Sequence, residues 1–431
     1  MRLLIIGGGP GGYETAVEAT KRGLEVTLIS EGPLGGTCLN EGCIPTKTFC
    51  RYAELIEQNI KAGLDCKPSF AAAAERKQAV VEQLRSGIDI LLKNVQVVRG
   101  RAEFKDSRTI ICNGQEYTAD KIIIATGSVS ASLPIPGVES CLTSKEILDL
   151  TEVPESLCVI GGGVIGLEFA SIFRSFGSEV TVLEFCPNIL PRFDVDLAKR
   201  LKQSLSKRGI NIELQAQVTR IDGNTVTYIK KEKEFTVQAD KVLMAVGRRP
   251  NTEGLNLEAV GVDYTRKGIT VNERFETSVP GIYAIGDVTG GIMLAHAATY
   301  QGLHALNGIC GQDDSIRFDL IPAAVFTMPE VATVGLTEEQ CKEQELQVRC
   351  LKSFYRANGK AVSMDETDGY CKLIVSESGA ILGAHLMGAH ASDLIHEIAV
   401  IMNLNGNLEQ LQNVIHAHPT LSEVLQTALH N

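Results

Sequence analysis

The chain has 431 residues, a formal net charge of −11 and 44% hydrophobic residues. That length exceeds one ordinary core, so several domains of globular α/β type are expected, and the acidic balance argues against nucleic acid and anionic membrane surfaces as partners. Twelve cysteines are scattered singly, apart from the pair Cys38/Cys43; this excludes a disulfide-stapled secreted module and offers no metal-site spacing, and it points to a reducing, cytoplasmic setting. No signal peptide precedes the first apolar run, and no run reaches membrane-spanning length.

Residues 3–6 form a short apolar run of the kind a buried parallel strand needs. Gly7, Gly9 and Gly12 follow as G-x-G-x-x-G, a helix is expected over 13–22, and a second strand over 24–29. In this strand–helix–strand context the glycines allow a tight turn and let a pyrophosphate approach the helix N-terminus.

Residues 35–47 read Gly-Gly-Thr-Cys-Leu-Asn-Glu-Gly-Cys-Ile-Pro-Thr-Lys. A regular helix holds residues i and i+5 roughly 8–9 Å apart at Cα, whereas a disulfide needs about 4.4–6.8 Å. Cys38 and Cys43 can therefore bond only across a sharp bend, for which Asn40 and Gly42 are suited. A thiol at a helix start with Lys47 one turn on favours thiolate.

The glycine fingerprint recurs. Residues 157–160 lead into Gly161, Gly163 and Gly166, then a helix to Phe176 and a strand ending in Glu184. A carboxylate there accepts from a ribose 2′-hydroxyl and repels a 2′-phosphate, which points to NAD rather than NADP. Strands over 121–124 and 241–244 end in Ala125-Thr126-Gly127-Ser128 and in Ala245-Val246-Gly247-Arg248-Arg249-Pro250-Asn251; another ends at Gly286-Asp287. This order suggests one nucleotide domain inserted in the other. From about Arg317 the texture changes to strands near 370–375 and 380–388 and a helix over 393–404, a separate α+β domain.

Together these stretches, with His416-Ala417-His418-Pro419-Thr420-Leu421-Ser422-Glu423, resemble the flavin-dependent pyridine nucleotide–disulfide oxidoreductases over nearly the whole sequence. The resemblance implies two nested Rossmann-like domains and a C-terminal dimerisation domain. The expected division is FAD domain 1–140 and 263–316, NAD domain 141–262, and interface domain 317–431. It implies FAD at Gly7, Gly9, Gly12, Gly36, Thr37, Lys47, Thr126, Gly127, Gly286, Asp287 and Ala295, and NAD at Gly161, Gly163, Gly166, Glu184 and Gly247. It also implies that Cys38 meets substrate, that Cys43 addresses the flavin, and that Lys47 pairs with Glu168. His418, oriented by Glu423, is the expected base, because exchange requires a thiolate and imidazole is suited to take the thiol proton.

Two departures from the family pattern stand out. The acid that holds the flavin ribose falls at Ser30, with Glu31 next, and both are candidates for that role. Glu41 sits between the cysteines where an apolar residue is common; it would raise the dithiol pKa, alter access or point to solvent. His416 has no role assigned.

Val164, where glutathione-reducing relatives carry a tyrosine, favours the lipoamide branch. The implied activity is oxidation of a dihydrolipoyl thiol pair through the Cys38–Cys43 centre and FAD to NAD, by a homodimer that serves a free or protein-bound substrate, including a lipoyl-bearing multienzyme complex. A glutathione-type reductase of the same architecture and a non-turnover redox or docking flavoprotein are the alternatives. Mercuric-ion chemistry is disfavoured because the end at His430-Asn431 carries no cysteine pair.

Overall fold

The computed structural model describes residues 1–65 and 68–430; Asn431, invoked above for the missing cysteine pair, lies outside the described residues. The chain divides into two compact units. The first takes Met1–Thr48, Ala74–Ala131 and Gly247–Ile316, the second Phe49–Ala73, Ser132–Val246 and Arg317–Asn431.

In the first unit five parallel strands lie in the order Ile282–Ala284, Lys121–Ile124, Arg2–Ile6, Glu25–Ser30, Gln96–Arg99. The apolar runs are continuous because both faces of this sheet are covered. Alternate residues serve opposite faces. Leu3, Ile5, Leu28 and Ile123 pack with Ala16, Ala19, Ala305 and Leu306 of the helices Pro10–Lys21 and Ala295–Ile309. Leu4, Ile6, Ile122 and Ile124 pack with Phe104 and Ile110 of a three-stranded antiparallel sheet. The strand Ile282–Ala284 joins the sheet across a long stretch of intervening chain, so one nucleotide fold is nested within the sequence of the other.

The second unit holds the other parallel sheet, in the order Ile210–Leu214, Glu179–Glu184, Ser156–Ile160, Lys241–Met244. It also holds a five-stranded antiparallel sheet ordered Ala323–Val325, Val331–Gly335, Ile381–Met387, Tyr370–Ser376, Val348–Phe354, backed by the helices Ala391–Asn403 and Glu423–Leu429. A buried ionic cluster ties its two sheets' surroundings together. Asp194 caps the helix Val195–Lys207 by accepting from the N–H groups of Asp196 and Leu197. Lys372, on the strand Tyr370–Ser376, bonds Asp194 at 2.8 Å and Glu338 at 2.7 Å, and the side chains of Lys372 and Asp194 are both 0% exposed. A buried charge is tolerated because each is paired and hydrogen-bonded.

Candidate active site

Each glycine fingerprint is built in the same way. A Cβ on Gly7 would fall 2.1 Å from the Ala125 carbonyl oxygen, and one on Gly12 1.9 Å from that of Gly7. Gly9, by contrast, has its nearest neighbour 4.0 Å away. In the second fingerprint Gly161 and Gly166 are closed in at 2.3 and 2.1 Å, while Gly163 has nothing within 4 Å. The outer glycines are thus required by protein packing, and the middle one faces space left for a ligand. Gly9 and Gly163 are also the N-caps of their helices and supply no side-chain cap. The first-turn N–H groups and the helix dipole therefore face that space, which suits a pyrophosphate. The residues present fit a dinucleotide at both places.

The strand residue beside each turn differs. Glu184, buried, accepts from the Gly162 N–H at 2.5 Å and from the Cys186 N–H at 2.6 Å. Its counterpart in the first fingerprint is Ser30, also buried, 2.6 Å from where a Gly8 Cβ would stand, with its hydroxyl donated to Gly32 O at 2.9 Å. Glu31 is exposed.

Other expected flavin contacts gather in the first unit. Thr126 donates its hydroxyl to Asn251 O at 2.7 Å, and Asn251 N–H returns to Gly127 O at 2.9 Å. The Gly286 N–H is held by Gln301 at 2.7 Å. Asp287 accepts from Ser128 at 2.5 Å, and Ser128 in turn accepts from Arg248 Nε at 2.7 Å. Ala295 opens the helix that carries Gln301. Gly36 passes over Gly9, where a Gly36 Cβ would stand 2.6 Å from the Gly9 Cα; Thr37 beside it is exposed. Gly161, Gly163, Gly166 and Glu184 lie in the second unit, whereas Gly247, grouped with them on sequence grounds, opens the last segment of the first.

The dithiol sits on a broken helix. Gly36–Glu41 and Cys43–Lys61 are separate helices, interrupted at Gly42 with φ −148° and ψ −109°. Gly42 alone makes the bend. Asn40, expected to share it, stays helical and fastens the loop instead: its amide donates to Leu34 O at 3.0 Å and Gly36 O at 2.8 Å and accepts from Arg85 at 2.6 Å. Across this bend Cys38 hydrogen-bonds Cys43. Cys43 is exposed and Cys38 half-buried. The bond to Cys43, then burial, then the Cys43 charge push the Cys38 thiol far above its usual range, against the opposing charge of Lys47. Glu168 is buried and accepts from the Phe326 N–H at 2.9 Å; it belongs to the second unit and Lys47 to the first.

Arg248, to which the sequence motif assigns no role, belongs to this site. Its guanidinium is pulled below its usual range by burial, against the negative charges of Asp287, Cys43 and Glu41. Glu41 is half-buried and acts on that arginine. The signal was an arginine directly after a strand-end glycine, which only the fold could place near the dithiol.

In the second unit His418 Nδ1 meets Glu423 Oε1 at 2.9 Å, and Glu423 Oε2 accepts from the Thr420 N–H at 2.8 Å. The Thr420 N–H first, and His418 second, hold the Glu423 carboxyl below its usual range. The His418 side chain is 79% exposed. His385 is buried between Thr333 and Leu336 O. Among the described residues no cluster of three or more His, Cys, Asp or Glu is disposed to hold a metal ion, and no helix is long and apolar enough to cross a membrane.

The family described as pyridine nucleotide-disulphide oxidoreductase matches residues 1–302, and its dimerisation domain matches residues 321–429. A dihydrolipoyl dehydrogenase of Bacillus subtilis is 40% identical, over 100% of this chain and 98% of its own. Among solved structures, the HOCl-induced flavoprotein disulfide reductase RclA of Escherichia coli is similar with a TM-score of 0.90 and 33% identity, covering 100% of this chain and 99% of its own. LpdA of Mycobacterium tuberculosis is similar with a TM-score of 0.91 and 30% identity, over 100% and 99%. The chain belongs to the pyridine nucleotide-disulphide oxidoreductases, as a flavoprotein enzyme whose cofactors are FAD and NAD.

Proposed function

We propose that the protein oxidises a dihydrolipoyl thiol pair to the cyclic disulfide, with NAD as the final acceptor. The observation that carries this reading is the Cys38–Cys43 contact across the Gly42 break, which brings the two thiols within hydrogen-bond reach in one unit. A substrate thiolate attacks Cys38 of the oxidised pair, forming a mixed disulfide and releasing Cys43 as thiolate. His418 removes the proton of the second substrate thiol, which attacks the mixed disulfide. The cyclic product leaves, and Cys38 departs as a thiolate that takes up a proton. FAD, when bound, carries the electron pair from the dithiol to NAD.

The first fingerprint is assigned to FAD and the second to NAD, and residues 317–431 to the interface of a homodimer, in which His418 serves the dithiol of the second copy. Support for that last step is the exposure of His418 and of its apolar neighbours Val414 and Ile415 within the matched dimerisation domain. Buried Glu184 supports NAD over NADP. Lys47 and Glu168 are proposed as the ion pair beside the flavin. A cytoplasmic setting and service to a lipoyl-bearing complex belong to the same reading.

The likeness to a disulfide reductase keeps a second substrate class in view. Steady-state turnover decides between them. Purified protein should reduce NAD with dihydrolipoamide and be slow with reduced glutathione, with NADP replacing NAD poorly. Preference for glutathione and NADP would overturn the proposal.

A further inference from the structure

Asn40 stands between the two cysteines, and its amide makes four hydrogen bonds within the first unit. Its Nδ2 donates to Leu34 O at 3.0 Å and to Gly36 O at 2.8 Å. Its Oδ1 accepts from Arg85 twice, from Nε at 3.2 Å and from Nη2 at 2.6 Å. Four bonds are the full capacity of a side-chain amide. A guanidinium only donates and a carbonyl only accepts, so one orientation of the amide satisfies all four. Arg85, half-buried on the helix Phe70–Leu91, sets that orientation.

What Asn40 holds is short. The helix Gly36–Glu41 has six residues, too few to be stable without outside contacts. Its entry is tied to the first fingerprint, where the Gly35 N–H donates to Gly8 O at 2.8 Å. Its apolar side is tied by Leu39, which shares one buried cluster with Leu34, Ile88 and Leu92. Ile88 lies three residues after Arg85, so both side chains issue from one face of the same helix. That helix therefore grips the dithiol loop at two points, with an apolar contact and a bidentate fork.

We propose that Arg85 is a positioning residue for the redox pair: acting through Asn40, it locks the helix Gly36–Glu41 so that Cys38 is held against Cys43. This rests on the reading of Cys38 and Cys43 as the exchanging pair. A locked loop gives the two sulfurs a high effective concentration towards each other, which favours the disulfide. Loosening it makes the disulfide easier to reduce.

The test equilibrates FAD-loaded protein with dithiothreitol. Two electrons and two protons pass to the Cys38–Cys43 bond as the reagent closes to its own cyclic disulfide, and alkylation of the peptides bearing Cys38 and Cys43 counts the reduced fraction. Arg85→Met should shift the exchange constant towards the dithiol about tenfold, the order of one lost hydrogen bond to a charged group. That is about 30 mV for a two-electron couple, in the less negative direction. Arg85→Lys, which keeps a charge but loses the fork, should shift it the same way by less. Its milder change also serves if Arg85→Met folds poorly. Asn40→Ala should match Arg85→Met, and the double variant should go no further, because both remove one contact. A couple that stays put or moves to more negative potential in Arg85→Met and Arg85→Lys overturns the proposal, even if the thermal midpoint falls. Additive shifts in the double variant overturn it as well, since Arg85 would then act elsewhere. Cys38→Ser separates the two readings. If it removes the couple while the Arg85 variants leave it in place, only the present proposal falls. If Cys38→Ser keeps full dihydrolipoamide turnover, the dithiol assignment falls, and this one with it.

Discussion

Cys38 and Cys43 differ in burial although they share one short loop, and Cys43 pushes the Cys38 thiol above its usual range. The two thiols are coupled, so the reduced protein should lose its two thiol protons in separated macroscopic steps that belong to the pair. Thiolate absorbance in the reduced enzyme should show both steps, and Cys38→Ser or Cys43→Ser should each leave one. Coincident steps in the unsubstituted protein would refute the coupling. A second residue-scale outcome concerns Glu184. Its carboxylate already engages two backbone N–H groups, so Glu184→Ala both loosens the turn and removes the proposed ribose acceptor. The KM for NAD should rise by about tenfold or more, corresponding to about 1.5–3 kcal/mol for a bond to a charged group, while use of NADP changes less. Equal loss for both cofactors would confine Glu184 to the turn.

The elements most legible in the sequence are those fixed by neighbours in the chain. The two fingerprints and their flanking strands needed only local spacing, because a glycine turn between an apolar strand and a helix is specified within about thirty residues. The bend in the dithiol loop was equally foreseeable, though not which residue makes it: Gly42 turns and Asn40 stays helical because its side chain is occupied by Leu34, Gly36 and Arg85. Arg85 and Lys372 were invisible for a different reason. Lys372 sits mid-strand in Tyr370–Ser376, and its partner Asp194 is 178 residues away; no window of sequence relates them.

That pair carries its own prediction. Lys372→Met would leave Asp194 fully buried with its counter-charge gone, costing about 3–5 kcal/mol, read as a lower midpoint in urea unfolding. A loss below about 1 kcal/mol would mean the helix N–H groups alone satisfy Asp194. The pH dependence has a definite sign. Hydrogen bonds from Lys342 and Lys372 hold Glu338 down to about 2 from 4.5; a depressed carboxyl stabilises the fold above its unfolded value, so this contribution disappears as pH falls from about 4.5 towards 2. Burial alone would lower the Lys372 pKa, but bonds to Asp194 and Glu338 and the charges of Asp194 and Asp196 raise it above 10.5. Its contribution is therefore complete below that value and lost only at more alkaline pH.

At the scale of the whole molecule the question is which chain supplies the base. Thiol, cofactor turn and arginine share the first unit, while His418, Glu423 and His416 lie in the second, on a segment with Ile415 95% and His418 79% exposed. An apolar residue so exposed, inside a matched dimerisation domain, is surface that a second copy can cover, and two-fold closure makes any such contribution reciprocal. Complementation distinguishes reciprocal sites from self-contained ones. Cys43→Ser protein and His418→Gln protein are each expected to be inactive in thiol oxidation. After reversible dissociation and mixing, a heterodimer holds one site with both defects and one with neither. Half of a random equimolar mixture is heterodimer, and each heterodimer has one working site of two, so about a quarter of full activity should return. If the base served its own chain, every site in the heterodimer would keep one defect. Absence of recovery, with heterodimer demonstrated by a size tag on one partner, would then assign His418 to its own subunit or remove it from the chemistry, and His418→Gln turnover with dihydrolipoamide would tell which.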